Sequence, residues 1–344
     1  MLKPKHILVI RLSAMGDVAM AVPVLRAFTQ HYPEIKITVL TKPFFKPLFD
    51  NLQNVEVVEA EVNGRHKGVM GLYKLSKTLK SLGIAAVADL HNVLRSKILK
   101  FFFFGITVVQ INKGRSEKNA LISGKNFKQL KSTHQRYADV FEKLGFPIDL
   151  SNPKFPTKVE LTPKLKAFIS NSESKTIGIA PFAAYKGKMY PLNLMEEVIT
   201  ELSKDYNVIL FGGGNKEVEL LNTIEAKYDK VCSAAGKLSL KEELALISNL
   251  DVMLSMDSGN GHLAAMLGIK VITVWGVTHP YSGFTPFNQP EDHQLLADRN
   301  QFPKIPTSVY GNKQPEGYNK AIITISPVEI LSKTNEILQK KASL

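Results

Sequence analysis

The stretch His6-Ile7-Leu8-Val9-Ile10-Arg11-Leu12-Ser13-Ala14-Met15-Gly16-Asp17 decides the fold. Four consecutive apolar residues, Ile7 to Ile10, show no polar alternation, which marks a strand buried on both faces of a parallel sheet. Gly16 permits a tight turn from that strand into a helix predicted over 18–31. Outward from there, strands over 37–40, 55–58 and 85–89 alternate with helices near 47–52 and over 70–82. That alternation predicts an α/β domain with a doubly wound parallel sheet.

After Gly145 the pattern breaks. Pro147, Pro153, Pro156 and Pro163 fall within seventeen residues of little periodicity, the composition of a linker. Strands over 176–180, 207–211, 231–233, 252–256 and 270–275 then alternate with helices over 195–204, 217–227, 240–248 and 262–267, a second doubly wound domain. Residues 284–318, rich in Pro, Asn and Gln, predict a long irregular loop. A last helix begins with Ser326 as N-cap and Pro327 at its first position. The expected division is an N-terminal domain over 1–160, a C-terminal domain over 161–325 and a closing helix over 326–344. Two such sheets are expected to face each other across a cleft. Ligands of open α/β sheets bind beyond the carboxyl ends of the strands, so the loops after the strands carry the candidate chemistry.

Composition narrows the class. A 44% hydrophobic and 22% charged chain of 344 residues has the material for two soluble cores. Cys232 is the sole cysteine, which excludes an intramolecular disulfide and suits a reducing cytoplasm. Arg11 ends the first apolar run far short of a signal-peptide core, and the run around 101–109 falls short of the about 20 residues of a membrane span. The net charge of +13 is lopsided: residues 1–150 hold 23 Lys and Arg against 11 Asp and Glu, the remainder 21 against 20. The first half is expected to meet an anionic partner.

Four loops stand out. Asp17 ends the first. Read locally it is a helix cap, and a carboxylate at a helix N-terminus is a weak base. A weak base suffices for a sugar hydroxyl whose proton leaves late in its attack on an activated carbon. The second, Ala183-Ala184-Tyr185-Lys186-Gly187-Lys188-Met189-Tyr190-Pro191, offers small residues and lysine for a diphosphate. The third, Asp257-Ser258-Gly259-Asn260-Gly261-His262, offers backbone N–H groups before a helix, with Gly276-Val277-Thr278-His279-Pro280 as its neighbour. The fourth, Gly212-Gly213-Gly214, fails the dinucleotide fingerprint because Glu217 stands where the third glycine belongs. That argues against a nicotinamide-dependent oxidoreductase. The sequence holds no Asp-x-Asp pair, no P-loop and no zinc spacing, so neither metal nor cofactor is expected.

Together these residues resemble glycosyltransferase family 9, the bacterial heptosyltransferases. The family's Ser-x-x-Gly-Asp motif is matched by Ser13, Gly16 and Asp17, and its donor lysine before an aromatic-proline pair by Lys188, Tyr190 and Pro191. Asp257, Ser258, Gly259, His262, Gly276, Thr278 and Pro280 match its most specific motif, and 236–242 its Gly-Lys-x-Ser-Leu-x-Glu segment. Met189 and Tyr190 stand where the family often carries His-Trp or Arg-Trp.

The resemblance implies a GT-B fold and inverting, metal-independent transfer of a heptose from ADP-heptose to the lipopolysaccharide inner core. It implies Asp17 as general base, with Ser13, Met15 and Gly16 on the acceptor. It implies Lys188 on the donor phosphates and Glu242 near the ribose. The donor site would be completed by Ala183, Ala184, Gly212, Gly213, Thr278 and the loop from Asp257 to His262. Arg65, His66, Lys67, Arg95 and Arg136 are the candidates for an anionic lipopolysaccharide precursor. The basic stretch of Lys113, Arg115, Lys118, Lys125, Lys128 and Lys131 is expected to touch the inner-membrane surface, and nucleic acid is not an expected partner. Another nucleotide sugar, another acceptor, or a non-catalytic module for nucleotide sugars or anionic lipids are the competing readings.

Overall fold

The computed structural model describes residues 3–170 and 173–339. They form two compact units, residues up to 114 with 131–155, and residues 115–130 with the chain from 156 onward.

The first unit contains β1 (His6–Ile10), α1 (Met15–His31), β2 (Lys36–Thr41), β3 (Val55–Glu59), α2 (Gly68–Lys80), β4 (Ala86–Asp89), α3 (Leu94–Phe101) and β5 (Thr107–Gln110). Helix α4 (Arg115–Ile122) groups with the second unit and α5 (Thr133–Lys143) with the first. Among the described residues the sheet has five parallel strands in the order β3-β2-β1-β4-β5. Leu8 and Ile10 of β1 pack with Leu72, Leu75 and Leu79 of α2 and with Leu99 and Phe103 at α3. Strand alternation turns Ile7 and Val9 to the opposite face. There Phe28 of α1 meets Phe141 of α5 and Phe146, with ring centroids 4.8 and 5.5 Å apart.

The second unit continues with α6 (Pro163–Lys166), β6 (Thr176–Ala180), α7 (Leu192–Asp205), β7 (Asn207–Leu210), α8 (Asn215–Glu225) and β8 (Val231–Ser233). Then follow α9 (Leu240–Ile247), β9 (Val252–Met256), α10 (Gly259–Met266), β10 (Lys270–Trp275), β11 (Gln294–Leu296) and α11 (Pro327–Gln339). The strand order is β11-β10-β9-β6-β7-β8, all parallel. Ile177, Ile179, Val252, Leu254, Ile272 and Val274 share one core with Met195, Val198 and Leu202 of α7 and with Ile330 and Ile337 of α11. The closing helix therefore belongs to this unit, and Ser326 Oγ caps it by accepting from the Glu329 N–H at 3.2 Å.

Three local differences from the sequence reading matter. Helix α1 starts at Met15, so Asp17 lies inside its first turn and not at its cap. Helix α10 starts at Gly259, ahead of the expected 262. Inside the supposedly irregular 284–318 segment, Gln294–Leu296 adds a parallel edge strand to β10. Three residues of strand give too little pattern to read.

Candidate active site

Each sheet changes direction once. The chain leaves β1 toward β2 and returns to the other side with β4; likewise it leaves β6 toward β7 and returns with β9. At such switch points the loops diverge and open a crevice at the strands' carboxyl ends.

In the first unit Asp17 occupies this place. Its Oδ2 meets an Arg11 Nη at 2.6 Å and accepts from the Ala14 N–H at 3.3 Å. Oδ1 has no partner among the described residues, and the side chain is 31% exposed. Arg11 is buried. Its other Nη donates to the Leu90 carbonyl at 2.8 Å, and its guanidinium lies 5.8 Å from the Tyr137 ring centroid. The Tyr137 hydroxyl donates to the Asp17 carbonyl at 3.3 Å. The carboxylate is thus fixed through one oxygen and open at the other.

Strand β4 supplies a second polar group here that the sequence reading passed over. Asp89 is fully buried and accepts from the His91 and Asn92 N–H groups, from Ser96 Oγ and from Lys100 Nζ. This ties down the loop carrying His91. Burial, followed by the positive charges of Arg11 and Lys113, pushes the His91 imidazole down to about 4. His91 is therefore neutral near pH 7, with a buried Nδ1 that has no hydrogen-bond partner among the described residues.

In the second unit three loops meet on one carboxylate oxygen. Asp257 Oδ2, after β9, lies 2.8 Å from Lys188 Nζ, after β6, and accepts from Thr278 Oγ1, after β10, at 2.8 Å. The loops approach closely because Gly276 has no side chain: a Cβ there would strike the Gly187 carbonyl oxygen. The Val277 N–H donates to that same oxygen at 3.0 Å. Tyr190 anchors the lysine loop through a hydroxyl that donates to the Ile325 carbonyl at 2.7 Å, and burial pushes its phenol up to about 12. Ser258 makes no side-chain cap, so the first-turn N–H groups of α10, from Gly259, Asn260 and Gly261, remain available to an anion. His262 follows, buried within the helix.

The remaining candidates have mixed surroundings. Glu242 closes a capping box, its Oε2 accepting from Ser239 N–H and Oγ, each at 2.8 Å, while Oε1 meets Lys164 Nζ at 2.6 Å. The Lys164 contact, then Ser239, holds its carboxyl down at about 2. Beside it, burial pushes the Glu243 carboxyl up to about 7. Gly213 N–H donates to Glu217 at 2.8 Å. Ala184 is exposed and Ala183 half-buried, on the same post-β6 loop as Lys188. Ser13, Met15 and Gly16 lie half-buried beside Asp17.

Arg65 pairs with Glu61 at 3.0 Å, Lys67 is exposed and Arg95 half-buried. His66 is buried, its Nδ1 accepting from the Glu61 N–H at 3.0 Å, and burial followed by Arg65 lowers its imidazole below the usual range. Arg136 is buried against Gly114, donating to the carbonyls of Lys131 and Asn112. Both side chains hold loops.

Residues 115–130 form a strap on the second unit. Lys118 Nζ is buried 4.0 Å from the Phe284 ring centroid, and the Phe127 ring packs on His279 and Tyr281 with Arg299 3.5 Å above it. Burial, then Arg299, pushes the His279 imidazole down to about 4. A cavity of about 350 Å³ lies within this unit, lined by Leu121, Phe127, Arg299, Lys304 and Thr307 among others.

Against known proteins, the family model for glycosyltransferase family 9 (heptosyltransferase) matches residues 72–313. A lipooligosaccharide heptosyltransferase 2 of Haemophilus influenzae is 27% identical over 358 residues, covering 97% of this chain and 100% of that protein. Lipopolysaccharide heptosyltransferase 2 of Escherichia coli is 25% identical, covering 96% and 98%. Among solved structures, a family 9 glycosyl transferase from Veillonella parvula superposes with a TM-score of 0.77 at 18% identity, over 98% of each chain. The Escherichia coli ADP-heptose lipopolysaccharide heptosyltransferase II follows at 0.68 and 21%, over 97% of this chain and 98% of that one. The fold is the GT-B architecture of these neighbours.

Proposed function

The chain belongs to glycosyltransferase family 9 (heptosyltransferase), and we propose that it moves a heptose from ADP-heptose to the lipopolysaccharide inner core, with inversion and without a metal. The observation that carries this reading is the half-tethered Asp17, one carboxylate oxygen held by Arg11 and the other open at the switch point. An acceptor hydroxyl attacks the anomeric carbon, and its proton passes to Asp17 Oδ1 as the new C–O bond forms. The bond from carbon to the donor's phosphate oxygen breaks, and its electron pair leaves with ADP. Attack opposite the leaving group inverts the centre.

The second unit handles the charge that departs. Lys188 and the first-turn N–H groups of α10 are cationic or partially positive, the chemistry a leaving diphosphate requires. Asp257 and Thr278 fix the lysine in position, and Glu242, which retains free lone pairs, takes the ribose hydroxyls. Lys67 and Arg95 suit the phosphates and acidic sugars of the acceptor, with Arg65 beside them paired to Glu61. Among the described residues no helix is long and apolar enough to cross a membrane, and we place the enzyme at the cytoplasmic face of the inner membrane as a peripheral protein.

The test is nucleoside diphosphate release over ADP-, UDP- and GDP-linked sugars, with a Kdo-bearing lipid A acceptor. Release of ADP from ADP-heptose only when acceptor is present is expected. Comparable turnover with a UDP-sugar would overturn the donor assignment. Turnover is expected to survive EDTA; loss on chelation with recovery on adding magnesium or manganese would overturn the metal-free route.

A further inference from the structure

Helices α2 and α3 lie side by side on one face of the first unit's sheet, and their outer faces are unusual. The inner positions Leu72, Leu75, Leu79 and Leu99 are buried. The outer ones mix lysines with large apolar side chains and carry no acid. Phe104 is 96% exposed, Phe101 82%, Leu94 75% and Met70 66%, with Val69 and Tyr73 exposed as well. Part of this is contiguous: the Phe102 ring sits 5.4 Å from Tyr73 of α2 and 6.0 Å from Phe101 of α3. Lys77 Nζ lies 4.7 Å over the Tyr73 ring.

Charge on this face is of one sign. Residues 65–104 hold eight Lys and Arg against one acid, Asp89, which is fully buried. Lys100 is spent on Asp89 and Arg65 on Glu61. Lys67, Lys74, Lys77, Lys80, Arg95 and Lys97 have no acidic partner among the described residues.

We infer that the outer face of α2 and α3, with the turn 101–105, is where this protein docks on an anionic lipid bilayer. Exposed aromatic and aliphatic side chains ringed by unpaired lysines are what an interface of hydrocarbon and anionic headgroups stabilises. A second copy of the chain in two-fold contact would set these lysines against their own counterparts. A nucleic-acid backbone would reward the lysines and leave Met70, Leu94 and Val69 in water. The inference deepens the lipid-linked acceptor reading and rests on it. It also moves the membrane contact away from the 113–131 stretch, where Lys118 is buried over Phe284 and Lys131 pairs with Asp139 at 2.7 Å.

The experiment is flotation of the full chain with vesicles of phosphatidylcholine alone, or with about one third phosphatidylglycerol. Wild type is expected to bind the anionic vesicles, to leave the neutral ones unbound and to release as salt rises. Phe101→Ser with Phe104→Ser, and separately Lys74→Glu with Lys77→Glu, should each lower partition on the order of tenfold. Lys125→Glu with Lys128→Glu should leave it unchanged. Turnover of a deacylated, water-soluble acceptor should be the same in all three, which also reports that each variant is folded.

Full vesicle binding by both patch variants, or loss of binding in the Lys125 and Lys128 variant, would overturn the assignment. So would a wild-type dimer that becomes a monomer in the Phe101 and Phe104 variant. Vesicle partition is read without any sugar donor. An absence of transferase activity would therefore sink the proposed function and leave this measurement standing on its own.

Discussion

The two switch points are built on the same strand frame and hold opposite chemistry. In the first unit the ion pair is local: Arg11 and Asp17 flank one strand-to-helix turn, and the cation fixes a carboxylate that keeps an open oxygen. In the second unit the pair spans loops from two strands, Lys188 after β6 and Asp257 after β9, with Thr278 from a third. Both partners there are enclosed, the lysine 12% and the carboxylate 11% exposed, and the pair lies in the same unit as the uncapped N-terminus of α10. In the proposed function one switch point presents a proton acceptor and the other an anion site. A shared topology fixes where the polar groups sit, and the side chains that the loops carry there decide what each switch point offers.

That contrast can be broken by single substitutions. Apart from loss of the Asp17 carboxylate itself, Lys188→Ala should show the largest effect: kcat/KM lower by roughly 10²–10³, with weaker ADP binding, because the leaving diphosphate loses its cation. It should also destabilise the second unit by leaving Asp257 half-paired. Asp257→Asn in the same chain should then recover stability without recovering turnover, as thermal melts and steady-state rates would show. Unchanged ADP affinity in Lys188→Ala would move the anion site elsewhere.

The histidines give a smaller effect of the same sign in both units. His91 and His279 titrate near 4 when folded, below the usual 6.5, so the unfolded chain binds their protons first. Stability is full above pH 6.5 and falls as pH drops through that window, by roughly 3 kcal/mol for each group. Urea melts between pH 7 and 4.5 should show a shallower slope for His91→Gln and for His279→Gln. An unaltered slope would mean that neither imidazole is held neutral. Smaller still, Arg11→Met should cost about tenfold in kcat by releasing the Asp17 carboxylate, with ADP affinity unaltered. A change confined to ADP affinity would contradict the division between units.

Much of this was legible in the sequence because its signals are local. The apolar run Ile7–Ile10, the Ser13-Gly16-Asp17 turn and the Asp257–His262 loop each fall within a few residues. What escaped depends on contacts between distant segments. The β4 loop with His91 joins the Asp17 neighbourhood only because β1 pairs with β4, seventy-nine positions onward in the Ile7 to Ala86 register. The parallel pairing was implied by the alternation; the buried Asp89 that anchors the loop could have been read from Asp89-Leu90-His91-Asn92 at a strand's carboxyl end, the position where functional side chains concentrate. The 115–130 strap groups with the second unit because the partners of Lys118, Phe127 and Leu130 are Phe284, His279 and Tyr281. Local periodicity carries no information about such partners. The burial of His66 and Arg136, and their hydrogen bonds to loop backbone, were likewise not legible from charge alone.

The central claim is that proton removal and donor binding reside in different units. It is tested most directly by comparing Asp17→Asn and Lys188→Ala in two assays, ADP binding by calorimetry and single-turnover transfer from ADP-heptose. Asp17→Asn should lower the transfer rate by roughly 10²–10⁴ while ADP binds as it does to wild type, and Lys188→Ala should weaken ADP binding. Undiminished transfer by Asp17→Asn, or a loss of ADP binding equal to that of Lys188→Ala, would contradict the account.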